Sequence, residues 1–142
     1  MEKEFRVRCR AVILDGDKLL VVRHAAKSEN YRALPGGHLE WGEDVRDGLV
    51  REIVEELGVV PELGPLLFIH TFVRDSVHSL EFFFRVENPE AFRVLGVERT
   101  HAYEIDLVEW ITVEDTQLLR PYGIAEAFKL GQLRDNTLRY LS

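Results

Sequence analysis

The segment from residue 44 to residue 58 constrains the fold more than any other part of the 142-residue chain. Its apolar residues recur at the spacing that places them on one face of a helix. They are Leu49, Val50, Ile53, Val54 and Leu57. Gly58 follows at the position where a helix-ending glycine is expected. We therefore predict a helix over residues 44–57 that packs this face against a core.

Strand patterns flank this helix on both sides. Two strands, residues 5–14 and 18–23, are separated by the turn signal Asp15-Gly16-Asp17, which predicts an N-terminal hairpin. Further strands are predicted at residues 66–73, 80–86 and 105–111, and Pro121 is expected to open a last helix that runs to about Arg134. This mixture predicts one α/β (α+β) domain over residues 1–142 with a mixed sheet.

Charge and cysteine content limit the possible partners. A net charge of −7 argues against a protein that meets nucleic acid through a broadly basic face. The single cysteine, Cys9, cannot form an internal disulfide, and no span approaches the ~20 apolar residues of a membrane helix. We expect a cytoplasmic protein that binds neither nucleic acid nor membrane. The sequence leaves open whether it is a homodimer.

The acidic charge is concentrated in one place. Residues 37–59 carry seven acids and two bases, so −5 of the total −7 lies in 23 residues. Glu52, Glu55 and Glu56 have the spacing i, i+3 and i+4, which places them on one helix face. A solvated acidic face is the ordinary reading of such a cluster. The alternative is a site for Mg²⁺ or Mn²⁺, which bind carboxylate oxygens.

The surrounding residues favour the metal site. Residues 37–59 fit the pattern G-x5-E-x7-R-E-U-x-E-E-x-G-U, where U is aliphatic, at every fixed position. These positions are Gly37, Glu43, Arg51, Glu52, Ile53, Glu55, Glu56, Gly58 and Val59. The pattern resembles the Nudix box, and we identify the chain as a member of the Nudix (MutT-like) hydrolase family by this resemblance.

The resemblance implies a fold, a cofactor and a set of site residues. The fold would be an α/β/α sandwich around a mixed sheet, with the box as a loop–helix–loop. The implied activity is Mg²⁺- or Mn²⁺-dependent cleavage of a nucleoside diphosphate linked to another group. Glu52, Glu55 and Glu56 would be metal ligands, with the Gly36 carbonyl as a further ligand. Arg51 would pair with Glu43 and orient the helix.

Residues outside the box are expected to bind the substrate. Tyr31 and Phe82 are candidates to stack on a base, and Arg23 and Arg32 are candidates to reach phosphates. The general base stays open between Glu52 and a later glutamate, either Glu98 or Glu104. Arg6, Arg8 and Arg10 face one side of a predicted strand and are also candidates to reach phosphates, although solvation is the favoured interpretation for most of the arginines.

Other functions remain possible on the same fold. A Nudix domain that senses a nucleotide without cleaving it is the main alternative, although such domains commonly lose box glutamates and this chain retains all of them. An isomerase of isoprenoid diphosphates would need a catalytic cysteine, and Cys9 lies on a predicted strand before the box. A purely structural acidic surface does not explain the full pattern.

Overall fold

The described part of the chain, residues 2–23, 31–95 and 107–141 of a computed structural model, forms nine strands and two α-helices. The strands are β1 (Glu4–Val12), β2 (Leu14–Asp15), β3 (Lys18–Arg23), β4 (Arg32–Ala33), β5 (Gly36–His38), β6 (Leu63–Arg74), β7 (Val77–Val86), β8 (Leu107–Ile111) and β9 (Arg139–Leu141). The helices are α1 (Val45–Leu57) and α2 (Tyr122–Lys129), and a short 3-10 helix spans Pro89–Phe92.

The strands form two sheets. The larger has the order β5-β1-β7-β6-β9, in which β1 pairs with β7 and β6 with β9 in parallel, whereas the other pairs are antiparallel. This confirms the predicted mixed sheet. The smaller sheet is antiparallel and holds β2, β3, β4 and β8.

The predicted N-terminal hairpin is only partly correct. Leu14 and Asp15 do pair back onto β3, but β1 joins the other sheet, where Cys9 lies opposite Phe82 of β7. Alternating side chains define the two faces of a strand, whereas they do not identify its partners. A strand in the interior of a sheet, such as β1, has partners on both edges, and here both are distant in sequence.

Two hydrophobic cores hold the sheets and helices together. Helix α1 buries Leu49, Ile53 and Leu57 in the first core, which also contains Phe84. Helix α2 contributes to the second core, which contains Phe83. Successive side chains of β7 thus enter different cores because they point to opposite faces of the strand, as the sequence predicts.

Helix α2 is shorter than predicted. It ends at Lys129 rather than near Arg134, and Leu130 serves as its C-cap. Gly131 follows with a φ of 73°, a left-handed conformation that glycine adopts without strain and that interrupts a right-handed helix. Within the described ranges, no helix has the length and apolar character to cross a membrane.

Candidate active site

Helix α1 is capped at both ends, and this fixes where its acidic residues project. The Asp44 side chain accepts hydrogen bonds from the backbone N–H of Arg46 at 2.9 Å and of Asp47 at 3.4 Å. At the other end Gly58 is left-handed, with a φ of 72°, and its N–H donates to the Val54 carbonyl at 2.9 Å. The observed span, Val45–Leu57 with Asp44 as the N-cap, confirms the predicted helix.

Arg51 connects the helix to the loop before it. Its Nε and Nη2 donate to the two oxygens of Glu43 at 2.7 and 3.0 Å, a bidentate ion pair. Nη1 donates to Glu52 at 3.3 Å and to Glu55 at 3.2 Å, and Nη2 also reaches the His38 carbonyl at 3.3 Å. One guanidinium thus holds the loop and neutralises part of the acidic face. Its hydrogen bond lowers the pKa of Glu43 to about 2.

Two glycines of the box leave room for carboxylates. A Cβ at Gly48 would lie 2.5 Å from Leu39 Cδ1 and 2.8 Å from Glu43 Oε1. A Cβ at Gly37 would lie 2.6 Å from the Glu52 carboxyl carbon. Both distances are shorter than any real contact, so the side chains of Glu43 and Glu52 take these positions only because glycine faces them.

Glu56 is the most buried of the three helix glutamates. Its side chain is 9% exposed, and its Oε2 accepts a hydrogen bond from the Gly36 N–H at 3.2 Å. Burial, together with the charge of Glu52, raises the pKa of Glu56 to about 8, although the nearby Arg10 opposes the shift. The protonated Glu56 donates to the Glu52 carboxylate. Burial is also the main cause that raises the pKa of Glu52.

This pair of carboxyl groups has the chemistry of a site for a hard cation. Two like-charged oxygen donors in contact, one of them buried, share a proton that a divalent cation can replace. Across residues 2–23, 31–95 and 107–141, no three acidic, histidine or cysteine side chains already converge as a metal cluster. Glu55 does not converge with Glu52 and Glu56, since its carboxylate is largely exposed and turned to Arg51. The residues therefore fit a divalent metal, and Glu55 would have to turn from Arg51 to take part.

A cleft of about 530 Å³ lies on the sheet face that carries Phe83. Tyr31 lines it, as expected of a substrate-binding residue. Arg23 and Arg32 do not line it, because both guanidiniums are held by Glu109, at 3.4 and 3.2 Å, and Arg32 also pairs with an aspartate of the following loop. The contact of Arg23 and Arg32 with phosphates stays a prediction, and it requires each guanidinium to leave Glu109.

Phe82 lies away from the cleft. Its side chain packs against the core under helix α1, on the opposite face of β7 from the cleft. Alternation along β7 predicts that Phe82 and Phe83 face opposite ways but does not identify which face is open. The two candidate bases beyond the box, Glu98 and Glu104, lie outside the described residues.

The sequence interpretation favoured solvation over phosphate binding for the arginines of β1. Arg6, Arg8 and Arg10 all line the cleft. Their alternation was visible in the sequence, and it correctly placed them on one face. This face of β1, β7 and β6 forms one side of the cleft, and residues 31–34 and 120–121 also line it, so Arg8 and Arg10 lie in a cleft wall.

Fold and site together define a small α/β domain with a loop–helix–loop centre. Its parts are the segment at Gly36 and Gly37, which we call the glycine loop, and the acidic helix α1. The NUDIX domain model matches residues 4–130, and the chain belongs to the Nudix family. This confirms the resemblance that the box carries.

Relatives of known name match parts of the chain. An ADP-ribose pyrophosphatase of Methanocaldococcus jannaschii is 38% identical over 69 residues, 43% of this chain and 40% of that protein. Phosphatase NudJ of Escherichia coli is 26% identical over 119 residues, 81% of this chain and 75% of that protein. The match to the archaeal protein thus spans less than half of its length.

Solved structures show the same fold. The MutT protein of Methanosarcina mazei superimposes with a TM-score of 0.71 at 21% identity, covering 92% of this chain and 94% of its own. The MutT NUDIX hydrolase of Burkholderia pseudomallei gives 0.70 at 24% identity, covering 95% and 100%.

Proposed function

We propose that this protein is a metal-dependent hydrolase that cleaves the diphosphate of a nucleoside diphosphate linked to another group. The observation that carries the proposal is the contact between the carboxyl groups of Glu52 and Glu56 at the glycine loop. Two carboxylates in contact, one of them buried, are unfavourable unless a proton or a cation lies between them. A site with this requirement suits a phosphorylated substrate that arrives with a metal, and Arg10, which interacts electrostatically with Glu56, also lines the cleft that holds further cations and aromatic rings.

Glu52, Glu55 and Glu56 would hold the metal, together with the carbonyl of Gly36. Mg²⁺ or Mn²⁺, when bound, would neutralise oxygens of the diphosphate and stabilise charge that develops during displacement. Glu56 has to lose its proton to act as a ligand, and Glu55 has to leave Arg51. Arg51 remains anchored to Glu43 by its bidentate pair, so the helix keeps its position while the ligands rearrange.

A residue of this chain has to accept the proton of the attacking water. Glu52 is the candidate within the described site, since it borders Gly37 and receives one hydrogen bond from Arg51. Glu98 and Glu104 remain alternatives. Replacing each of the three with glutamine separates them, because loss of a base lowers kcat by roughly 10²–10⁴-fold and removes the acidic limb of the pH profile.

The proposed substrates are small nucleotide-type diphosphates. The names of the two relatives make ADP-ribose and phosphorylated nucleotides the first compounds to test. We also propose that the enzyme works in the cytoplasm, with its one cysteine reduced and buried.

A panel assay tests the function. The protein is incubated with Mg²⁺ or Mn²⁺ and with ADP-ribose, NDP-sugars, dNTPs and dinucleoside polyphosphates, and the products are identified. We expect a nucleotide product that is absent in EDTA and in Glu56→Gln. Absence of turnover across the panel, while one ligand still raises the melting temperature, would favour a nucleotide sensor instead.

The isomerase alternative is not supported by the position of Cys9. Its side chain is fully buried, and Sγ lies 3.7 Å from the Gly37 carbonyl. Burial raises the pKa of the thiol to about 11. A thiol enclosed beneath the glycine loop does not contact a substrate in the cleft.

A further inference from the structure

The cleft on the Phe83 face of the larger sheet is lined mainly by cations, whereas the protein as a whole is negatively charged. Five arginines line it, against two acids, although the full chain has a net charge of −7. The arginines are Arg6, Arg8, Arg10, Arg74 and Arg120. Positive charge concentrated in a concave surface attracts anions more strongly than the same charge spread over an open surface.

The register of the sheet orders these charges with distance from the box. Across β1 and β5, Arg10 lies opposite Gly36, whose N–H is bonded to Glu56, and Arg8 lies opposite His38, so Arg10 is the nearer of the two to Gly36. Arg8 and Arg6 follow along β1, each about 6.7 Å further, because alternate residues of a strand are two rises apart. In the neighbouring strand β7, Glu81 lies opposite Arg8, and Ser79 lies opposite Arg6.

The acid at the centre of the cleft is already paired. Glu81 accepts from Arg10 Nε at 3.2 Å and contacts His70 Nδ1 at 3.0 Å. Arg10 Nη1 also donates to the Leu34 carbonyl at 3.3 Å. Arg10 and Glu81 are therefore held in place as a structural pair, and the charge of Arg10 is largely compensated.

Arg8 and Ser79 are different. Arg8 is half-buried, with its guanidinium carbon 5.7 Å from the centre of the Phe72 ring. Its Nε and the Oγ of the fully buried Ser79 are both enclosed, and neither has a hydrogen-bond partner among the described residues. Buried polar groups are nearly always hydrogen-bonded, so two unpartnered ones in the wall of one basic cleft indicate a missing acceptor.

We propose that Arg8 and Ser79 form an anion site for a phosphate group of the substrate other than the scissile diphosphate. The inference rests on the proposed function for its biological meaning. A phosphate offers several acceptor oxygens, enough for the guanidinium and the hydroxyl together. The preferred substrate class is then a nucleotide that carries a phosphate in addition to the diphosphate that is cleaved.

Binding of inorganic pyrophosphate in EDTA tests the site without catalysis. Without a divalent cation, the box glutamates repel the probe, so calorimetry reports on the cleft. We expect saturable binding that weakens at least 10-fold in Arg8→Gln and about 3-fold or more in Ser79→Ala. Arg93→Gln removes an exposed arginine paired with Asp15, outside the cleft, and serves as the control. Absence of saturable binding to the wild type, or an equal loss in the control, would overturn the site.

Folding of the variants is checked by thermal melting. Arg8→Lys retains the cation, and we expect it to keep more of the binding than Arg8→Gln. If Ser79→Ala melts like the wild type and binds pyrophosphate equally well, the proposed role of Ser79 is contradicted.

Paired substrates test specificity. NADPH and NADH differ by one phosphate outside the diphosphate, and so do coenzyme A and its dephospho form. With Mg²⁺ we expect kcat/KM to favour the phosphorylated member of one pair at least 10-fold, and Arg8→Gln to remove that preference. Equal rates within both pairs would overturn the assignment. If neither pair nor the wider panel is hydrolysed, the proposed function fails, and pyrophosphate binding alone decides the anion site.

Discussion

The buried carboxyl of Glu56 accepts a hydrogen bond from the backbone N–H of Gly36 at 3.2 Å. This bond joins the last turn of helix α1 to the loop that precedes it by 20 residues. It brings the Glu56 carboxyl, whose pKa is raised to about 8, next to the backbone of Gly36, which would share a metal with it. The spacing of glutamates along a helix predicts one acidic face, whereas this contact depends on how the helix packs on the sheet.

Gly48→Ala tests whether the site requires a glycine within the helix. Alanine gains about 1 kcal/mol of helix propensity over glycine. Its Cβ would collide with Leu39 and Glu43, and overpacking of this kind costs about 1–3 kcal/mol. We expect a net loss of stability in urea denaturation and a weaker Arg51–Glu43 pair. Val54→Ala, at an exposed position of the same helix, is expected to stay close to wild type. A Gly48→Ala protein more stable than wild type would contradict the steric argument.

Arg51→Lys tests the bidentate pair. Lysine keeps the charge but cannot bind both oxygens of Glu43 while it also reaches Glu52 and Glu55. We expect kcat/KM to fall about 10–100-fold, the usual loss when a group that orients metal ligands is removed. Arg46→Lys on the same helix is the control, since Arg46 donates to the carbonyls of Leu63 and Gly64. Equal losses in both variants would indicate a general effect on the helix rather than on the site.

Glu43 gives the fold a defined response to acid. Its pKa is about 2 in the folded protein because of the bond to Arg51, below the ordinary value of 4.5. The ionised pair therefore contributes its full stability above about pH 4.5, and this contribution is lost as the pH falls towards 2. We expect the difference in melting temperature between wild type and Glu43→Gln to shrink across that window. A difference that stays constant from pH 6 to pH 3 would show that ionised Glu43 does not stabilise the fold.

The elements that follow local rules are the ones that sequence predicts well. Helix α1 has both its apolar spacing and its caps within a few residues, so its limits agree with the structure. Gly131 is also a local signal. Glycine often ends a helix, so its position could have shortened the helix predicted after Pro121. The partner of β1 is not local, because Cys9 pairs with Phe82 across the sheet, and no short pattern encodes that choice.

The site also contains residues that a local pattern predicts and residues that only the fold brings together. The box residues are fixed by spacing, and the bidentate contact of Arg51 with Glu43 follows from it. The cleft residues come from segments that are distant in sequence, so the sequence could rank Arg23 and Arg32 above Arg8 without any sign that Glu109 holds both of them. Competition from a nearby acid decides which arginine is available to a substrate, and only the fold brings that acid into contact.

The measurement that tests the central claim most directly is Mg²⁺-dependent hydrolysis by Glu56→Gln. Glutamine reproduces the size and hydrogen bonding of the protonated carboxyl, so the variant is expected to fold like the metal-free protein. It lacks the negative charge that a metal ligand needs, and we expect kcat/KM on the best substrate to fall by more than about 100-fold, beyond the loss from a merely orienting residue. Glu126→Gln, at an exposed helical position of α2, is expected to retain wild-type activity. Full activity in Glu56→Gln would contradict the account.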